Sequence, residues 1–149
     1  MTRILFVCTG NTCRSPMAEA ILKNMKIEGM EVKSAGVSAV DGSKASYQAR
    51  VVLEEQGIKH DHSSSFLTKE LVDWADYIFT MTTSHKYMLM NQFPSSIEKV
   101  FTIKEFAFNN KNGNVSDPFG GTVEMYRETY NELNEMIKLI TQKMELYNG

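Results

Sequence analysis

Arg3-Ile4-Leu5-Phe6-Val7-Cys8 runs without a break into Thr9-Gly10-Asn11-Thr12-Cys13-Arg14-Ser15-Pro16, and the fold is read outward from this stretch. The first six residues are nearly all apolar and show no alternation, the pattern of a strand buried on both faces of a parallel sheet. Ser15-Pro16 predicts an N-cap followed by proline at the first helical position, where its fixed φ helps and its missing N–H costs nothing. Met17, Ala18, Ile21, Leu22 and Met25 then recur at helical spacing, with Gly29 as the stop. A buried strand, a short loop and a helix thus follow in direct succession.

The same alternation continues along the chain. Glu31–Ala35, Asp76–Met81 and Glu98–Ile103 are shorter strand candidates. Between them Ala45–Gln56, Thr68–Ala75 and Thr83–Gln92 read as helices, the last stopped by Pro94. Tyr126, Tyr130, Leu133, Ile137, Ile140 and Met144 recur at spacings of four and three, which predicts one long amphipathic helix with Thr122 as its cap. Asn109–Asn114 reads as a surface loop inside the pattern. Strands alternating with helices give an α/β domain over residues 1–149, a three-layer, four-stranded open parallel sheet with helices on both faces. In such sheets ligands bind beyond the carboxyl ends of the strands, which puts the chemistry at the end of the first strand.

Composition narrows the function classes. Of 149 residues, 42% are hydrophobic, enough for a core without disulfides or metal, so disorder and disulfide-stapled scaffolds are excluded. Sixteen Lys and Arg against eighteen Asp and Glu, scattered, argue against a nucleic-acid binder. Uninterrupted apolar runs such as Ile4–Cys8 are far below the roughly 20 residues of a membrane span and too short for a secretory signal, so a cytoplasmic protein is expected. A monomer is expected as well. Both cysteines, Cys8 and Cys13, fall in one hexapeptide, where a disulfide would constrain the unfolded chain little. Their role is therefore read as chemical.

A strand end, a glycine-containing loop and a helix N-terminus can turn backbone N–H groups toward one centre, an anion nest reinforced by the helix dipole. Arg14 would close it with a planar fork of donors suited to phosphate oxygens. The same field should hold Cys8 as a thiolate at neutral pH, placed to displace a leaving group from a bound phosphoryl and form a phosphocysteine. Thr9, Gly10, Asn11, Thr12, Cys13 and Ser15 make up the cradle, and the Ser15 hydroxyl can either cap the helix or donate to the sulfur. Asp117, in Asp117-Pro118-Phe119-Gly120-Gly121, is the candidate proton donor: proline keeps it out of helix geometry and the glycines let the loop reach over a site.

These residues resemble the low-molecular-weight protein tyrosine phosphatases over essentially the whole chain. The resemblance implies a flavodoxin-like sheet, Cys8 as nucleophile, Arg14 as transition-state clamp, Asp117 as general acid, and Asn11 and Ser34 as polar supports of the loop. It also implies phosphorylated proteins as partners and no cofactor. Two features depart from the tyrosine-specific pattern: Thr12 stands where an aliphatic residue is usual, and Phe119 and Gly120 follow the Asp-Pro where tyrosines are usual. In both, the chain looks like the bacterial branch acting on protein phosphoarginine.

Other readings remain open on the residues alone. Phosphotyrosine is the alternative substrate. Thr9-Gly10-Asn11-Thr12 also resembles the phosphate loop of FMN-binding flavodoxins, though that leaves Cys8 and Arg14 unexplained. Arsenate reduction needs a third cysteine, which the chain lacks. His60-Asp61-His62 and His85 offer no ligand quartet at tetrahedral spacing and read as polar or structural, with no metal expected. Trp74 reads as core. Cys13 is either a small buried residue or a redox partner that condenses with oxidised Cys8.

Overall fold

The computed structural model describes residues 1–109 and 113–148. Four strands, β1 (Thr2–Cys8), β2 (Met30–Gly36), β3 (Tyr77–Thr80) and β4 (Val100–Thr102), form one parallel sheet in the order β2-β1-β3-β4. The α/β fold is the one expected, with the direction of winding reversing at β1.

The apolar run explains its central place. Ile4, Phe6 and Cys8 point into one core, under α1 (Arg14–Asn24), α2 (Tyr47–Glu55), α5 (Ile103–Phe108) and α6 (Val123–Asn148). Leu5 and Val7 point into the other, under α3 (Lys69–Trp74) and α4 (Thr83–Gln92). Each residue of the run is thereby buried whichever way the pleat directs it. Along α6, Tyr126, Tyr130, Leu133, Ile137, Ile140 and Met144 are all buried, the stripe read from the sequence. Thr122 caps it, its hydroxyl accepting from the Met125 amide.

Several boundaries differ, each for a physical reason. α1 starts at Arg14 with Cys13 at the N-cap and no side-chain cap bond, because the Ser15 hydroxyl is committed elsewhere. It ends at Asn24, well before Gly29, and Lys26 takes a left-handed φ of 52° in the turn that follows. The expected fourth strand gives way after Thr102 to the unanticipated α5, whose start is fixed by a capping box between Thr102 and Glu105. Of the expected loop Asn109–Asn114, residues 110–112 lie outside the described residues. Trp74 is half-buried at the margin of the second core, with Lys33 Nζ 4.5 Å above its ring. Among the described residues, no helix is long and apolar enough to cross a membrane.

Candidate active site

β1 ends at Cys8, and α1 begins at Arg14, so the intervening loop lies at the carboxyl edge of the sheet and against the helix N-terminus. Asn11 supplies the loop's reversal with a left-handed φ of 57°, which asparagine tolerates better than most residues. The end of β2 comes close at Gly36. A Cβ there would sit 2.4 Å from the Thr9 carbonyl oxygen and 2.9 Å from the Asn11 nitrogen, so only glycine fits. The Val37 and Ser38 amides donate to the Cys8 and Thr9 carbonyls, tying the two segments together.

A buried relay of hydrogen bonds holds the loop from behind. The Asn11 amide oxygen accepts from the Ser65 backbone N–H at 2.9 Å, which orients the group. Its Nδ2 then donates to Ser15 Oγ at 2.7 Å and to Ser34 Oγ at 2.9 Å. With its oxygen accepting from Asn11, the Ser15 hydroxyl directs its own proton at Cys8 Sγ, 2.8 Å away. The Ser34 hydroxyl donates to Glu19 Oε1, and His62 Nε2 donates to the Asn11 carbonyl at 2.7 Å. Of the two roles open to Ser15, the structure realises donation to sulfur.

The balance at Cys8 differs from the sequence expectation. Burial of the sulfur is the largest influence and pushes its pKa up. The Ser15 hydroxyl, the Ser15 and Asn11 amides and the Arg14 guanidinium act in the opposite direction without overcoming it. A thiolate at neutral pH is thus not the resting state that burial favours, although the groups assembled around the sulfur all stabilise that anion.

Cys8, Thr9, Gly10, Thr12, Cys13, Arg14, Asp117 and Phe119 line a pocket of 210 Å³. The expected cradle residues Asn11 and Ser15 do not line it; their side chains are buried behind the loop as supports. Arg14, 4% exposed, is aimed by Nη1 donating to the Val115 carbonyl at 3.0 Å, while Nη2 lies 3.6 Å from Asp117 Oδ2. Asp117 is half exposed, and its other oxygen accepts from the Phe119 amide in a local turn. Phe119 stands at the rim, 78% exposed. A larger hollow of 320 Å³ beside Trp74 has no such convergence of nucleophile, cation and carboxylate.

Some partners of the site gave no usable sequence signal. Buried His85 bridges the loop to α4, with Nε2 2.8 Å from the Thr9 hydroxyl and Nδ1 2.9 Å from that of Thr82. Burial, then the charge of Arg14, lowers its pKa to about 4, so it is neutral and both ring nitrogens are satisfied by hydroxyls. Tyr126, read only as part of a helical stripe, sets its hydroxyl 3.1 Å from Cys13 Sγ.

Residues 3–146 match the family model described as low molecular weight phosphotyrosine protein phosphatase. The chain belongs to this family. A "Protein-arginine-phosphatase" of Geobacillus stearothermophilus is 50% identical to the phosphatase over 96% of each chain. A solved arginine phosphatase, YwlE, from the same organism superposes with a TM-score of 0.96 at 49% identity, covering 99% of the phosphatase and 95% of the other chain. A further YwlE structure, 43% identical with a TM-score of 0.93, covers 97% and 96%; it is a cysteine-to-serine variant whose active-site serine is phosphorylated. The substituted position in that protein therefore carries a phosphoryl group on its side chain, the kind of species expected of a nucleophile.

Proposed function

We propose that the chain removes phosphoryl groups from phosphoarginine side chains of proteins, with Cys8 as nucleophile, Arg14 as clamp and Asp117 as general acid. The observation that carries the substrate reading is Thr12: its short, polar side chain lies on the wall of the pocket that also contains Cys8, Arg14 and Asp117. The relative named a protein-arginine phosphatase supports it.

In this reading Arg14 and the loop hold the phosphoryl oxygens, and the Cys8 thiolate attacks phosphorus opposite the guanidino nitrogen. The P–N bond breaks, an S–P bond forms, and Asp117 gives its proton to the departing nitrogen. Asp117, now a carboxylate, takes a proton from water as that water attacks the phosphocysteine, releasing inorganic phosphate and restoring Cys8. The carbonyl oxygen of the protonated Asp117 carboxyl and the Thr12 hydroxyl are acceptors for the remaining guanidinium N–H groups, whereas an aliphatic residue at position 12 would leave them unpaired. Phosphotyrosine is the second reading. The family's own description and the exposed ring of Phe119 favour it, since the rim could stack on an aryl group.

The deciding experiment compares kcat/KM on phosphoarginine and phosphotyrosine peptides for the wild type and Thr12→Ile. Rejecting a substrate by leaving its polar groups unpaired can be worth on the order of 10⁴-fold, against roughly 10–200-fold for one methylene of apolar contact. The wild type is expected to prefer phosphoarginine, and Thr12→Ile to lose most of that activity while phosphotyrosine activity holds or rises. A wild-type preference for phosphotyrosine, or a ratio unmoved by the substitution, hands the assignment to the second reading.

A further inference from the structure

The histidines His60 and His62 flank Asp61 in one short segment that, read alone, offers no ligand quartet. The fold supplies a third group. Glu19 from α1 meets them so that one potential ligand atom from each residue lies within 4.8 Å of the other two. His60 Nε2 is buried without a hydrogen-bond partner, 3.4 Å from Glu19 Oε2, and its side chain is only 7% exposed. A buried imidazole nitrogen left unpaired and facing a carboxylate is a costly arrangement that an ion between them would relieve. His62 is already oriented: by donating its Nε2 proton to the Asn11 carbonyl it leaves a lone pair on Nδ1. This is the pairing by which a backbone carbonyl fixes the tautomer of a metal-bound histidine.

We propose that Glu19, His60 and His62 bind a divalent transition metal, Zn²⁺ by the chemistry of the donors, directly behind the catalytic loop. Two imidazoles and one carboxylate match the ligand preference of that ion and leave a fourth position for water. Lys23 is the resident counter-charge, its Nζ 2.8 Å from Glu19 Oε2, but its side chain is half exposed and can swing into solvent when a metal arrives. Open hollows of 180 Å³ and 270 Å³ flank His62 and provide entry.

Such a site would be felt by the nucleophile. Glu19 accepts from Ser34, Ser34 accepts from Asn11, and Asn11 donates to the Ser15 hydroxyl that points at Cys8. A metal that draws the carboxylate toward the histidines loosens this relay at its far end, so occupancy lowers turnover. That second half rests on Cys8 being the nucleophile; the binding half does not.

The test titrates the full chain with Co²⁺ and, by calorimetry, with Zn²⁺. One ion per chain is expected, with visible d–d bands and no sulfur-to-metal charge-transfer band. His60→Ala should weaken binding at least roughly tenfold, the lower range for disturbing a metal site. His60→Gln, which keeps the side-chain bulk, should do the same if the alanine variant folds poorly. Lys23→Ala should strengthen binding by removing the competing ammonium. Zn²⁺ should inhibit wild-type turnover and leave the turnover of His60→Ala, measured against that variant's own metal-free rate, unchanged. A sulfur charge-transfer band at the first equivalent would put the ion on a cysteine and overturn the site, as would wild-type affinity in both His60 variants. Binding at the site with unchanged turnover would overturn the coupling to Cys8 while leaving the phosphatase reading intact.

Discussion

At the residue scale the central feature is a sulfur buried against its own ionisation and surrounded by groups that favour it. The Ser15 hydroxyl is the first of these after burial itself is counted, and Asn11 leaves it no other direction in which to donate. Removing it in Ser15→Ala therefore raises the Cys8 pKa further. The acidic limb of the kcat/KM profile should move to higher pH, with a loss at neutral pH that shrinks as the solution is made alkaline. A hydrogen bond to a charged group is worth about 1.5–3 kcal/mol, so the loss at neutral pH should be on the order of tenfold to a hundredfold. A profile lowered equally at every pH would mean that Ser15 does not act through the thiolate.

At the scale of elements, the loop from Cys8 to Arg14 keeps its shape because β2 presses on it at a residue without a side chain. Gly36→Ala inserts a Cβ against the Thr9 carbonyl and the Asn11 nitrogen, which are backbone and cannot swing aside. Turnover should fall at least roughly tenfold and the variant should lose about 1–3 kcal/mol of stability, as overpacking does. Thermal melting and turnover with wild-type values would show that the loop has slack there. Little of this was legible in the sequence. The doubly buried run Ile4–Val7 and the apolar stripe of α6 are local patterns, and they carried the architecture; α4 has the bounds its residues suggested. Gly36 looks like any turn glycine until β1 and β2 are laid side by side, and Glu19, His62 and His85 meet the loop only through the fold. α5 was hidden because Ile103 extends the β-forming run Val100–Thr102, although Thr102 and Glu105 carry the spacing of a capping box. The sequence leaves Ser15 two roles, helix cap or donor to the sulfur, because the sulfur lies at the other end of the loop and only the fold brings it within reach.

At the scale of the whole molecule, two helical layers cover a sheet whose central strand delivers Cys8 to its edge, and α4 joins the site through His85. Its pKa is about 4 in the folded chain against an ordinary 6.5. Between these values the unfolded chain binds a proton that the native one refuses, so stability falls as pH drops from about 6.5 toward 4 and is unaffected above that window. His60 acts in the same direction. His85→Gln should flatten part of the dependence of Tm on pH over this window; identical slopes in both proteins would show that His85 titrates normally. The claim on which the whole arrangement turns is that Cys8 carries the phosphoryl group between its two transfers. The most direct measurement is a rapid acid quench during turnover of a phosphoarginine peptide, followed by mass spectrometry of the loop peptide. The account predicts one phosphoryl group on Cys8, absent without substrate and absent in Cys8→Ala; an enzyme that turns over with no phosphorylated Cys8 at any quench time, or a Cys8→Ala variant that retains turnover, would contradict it.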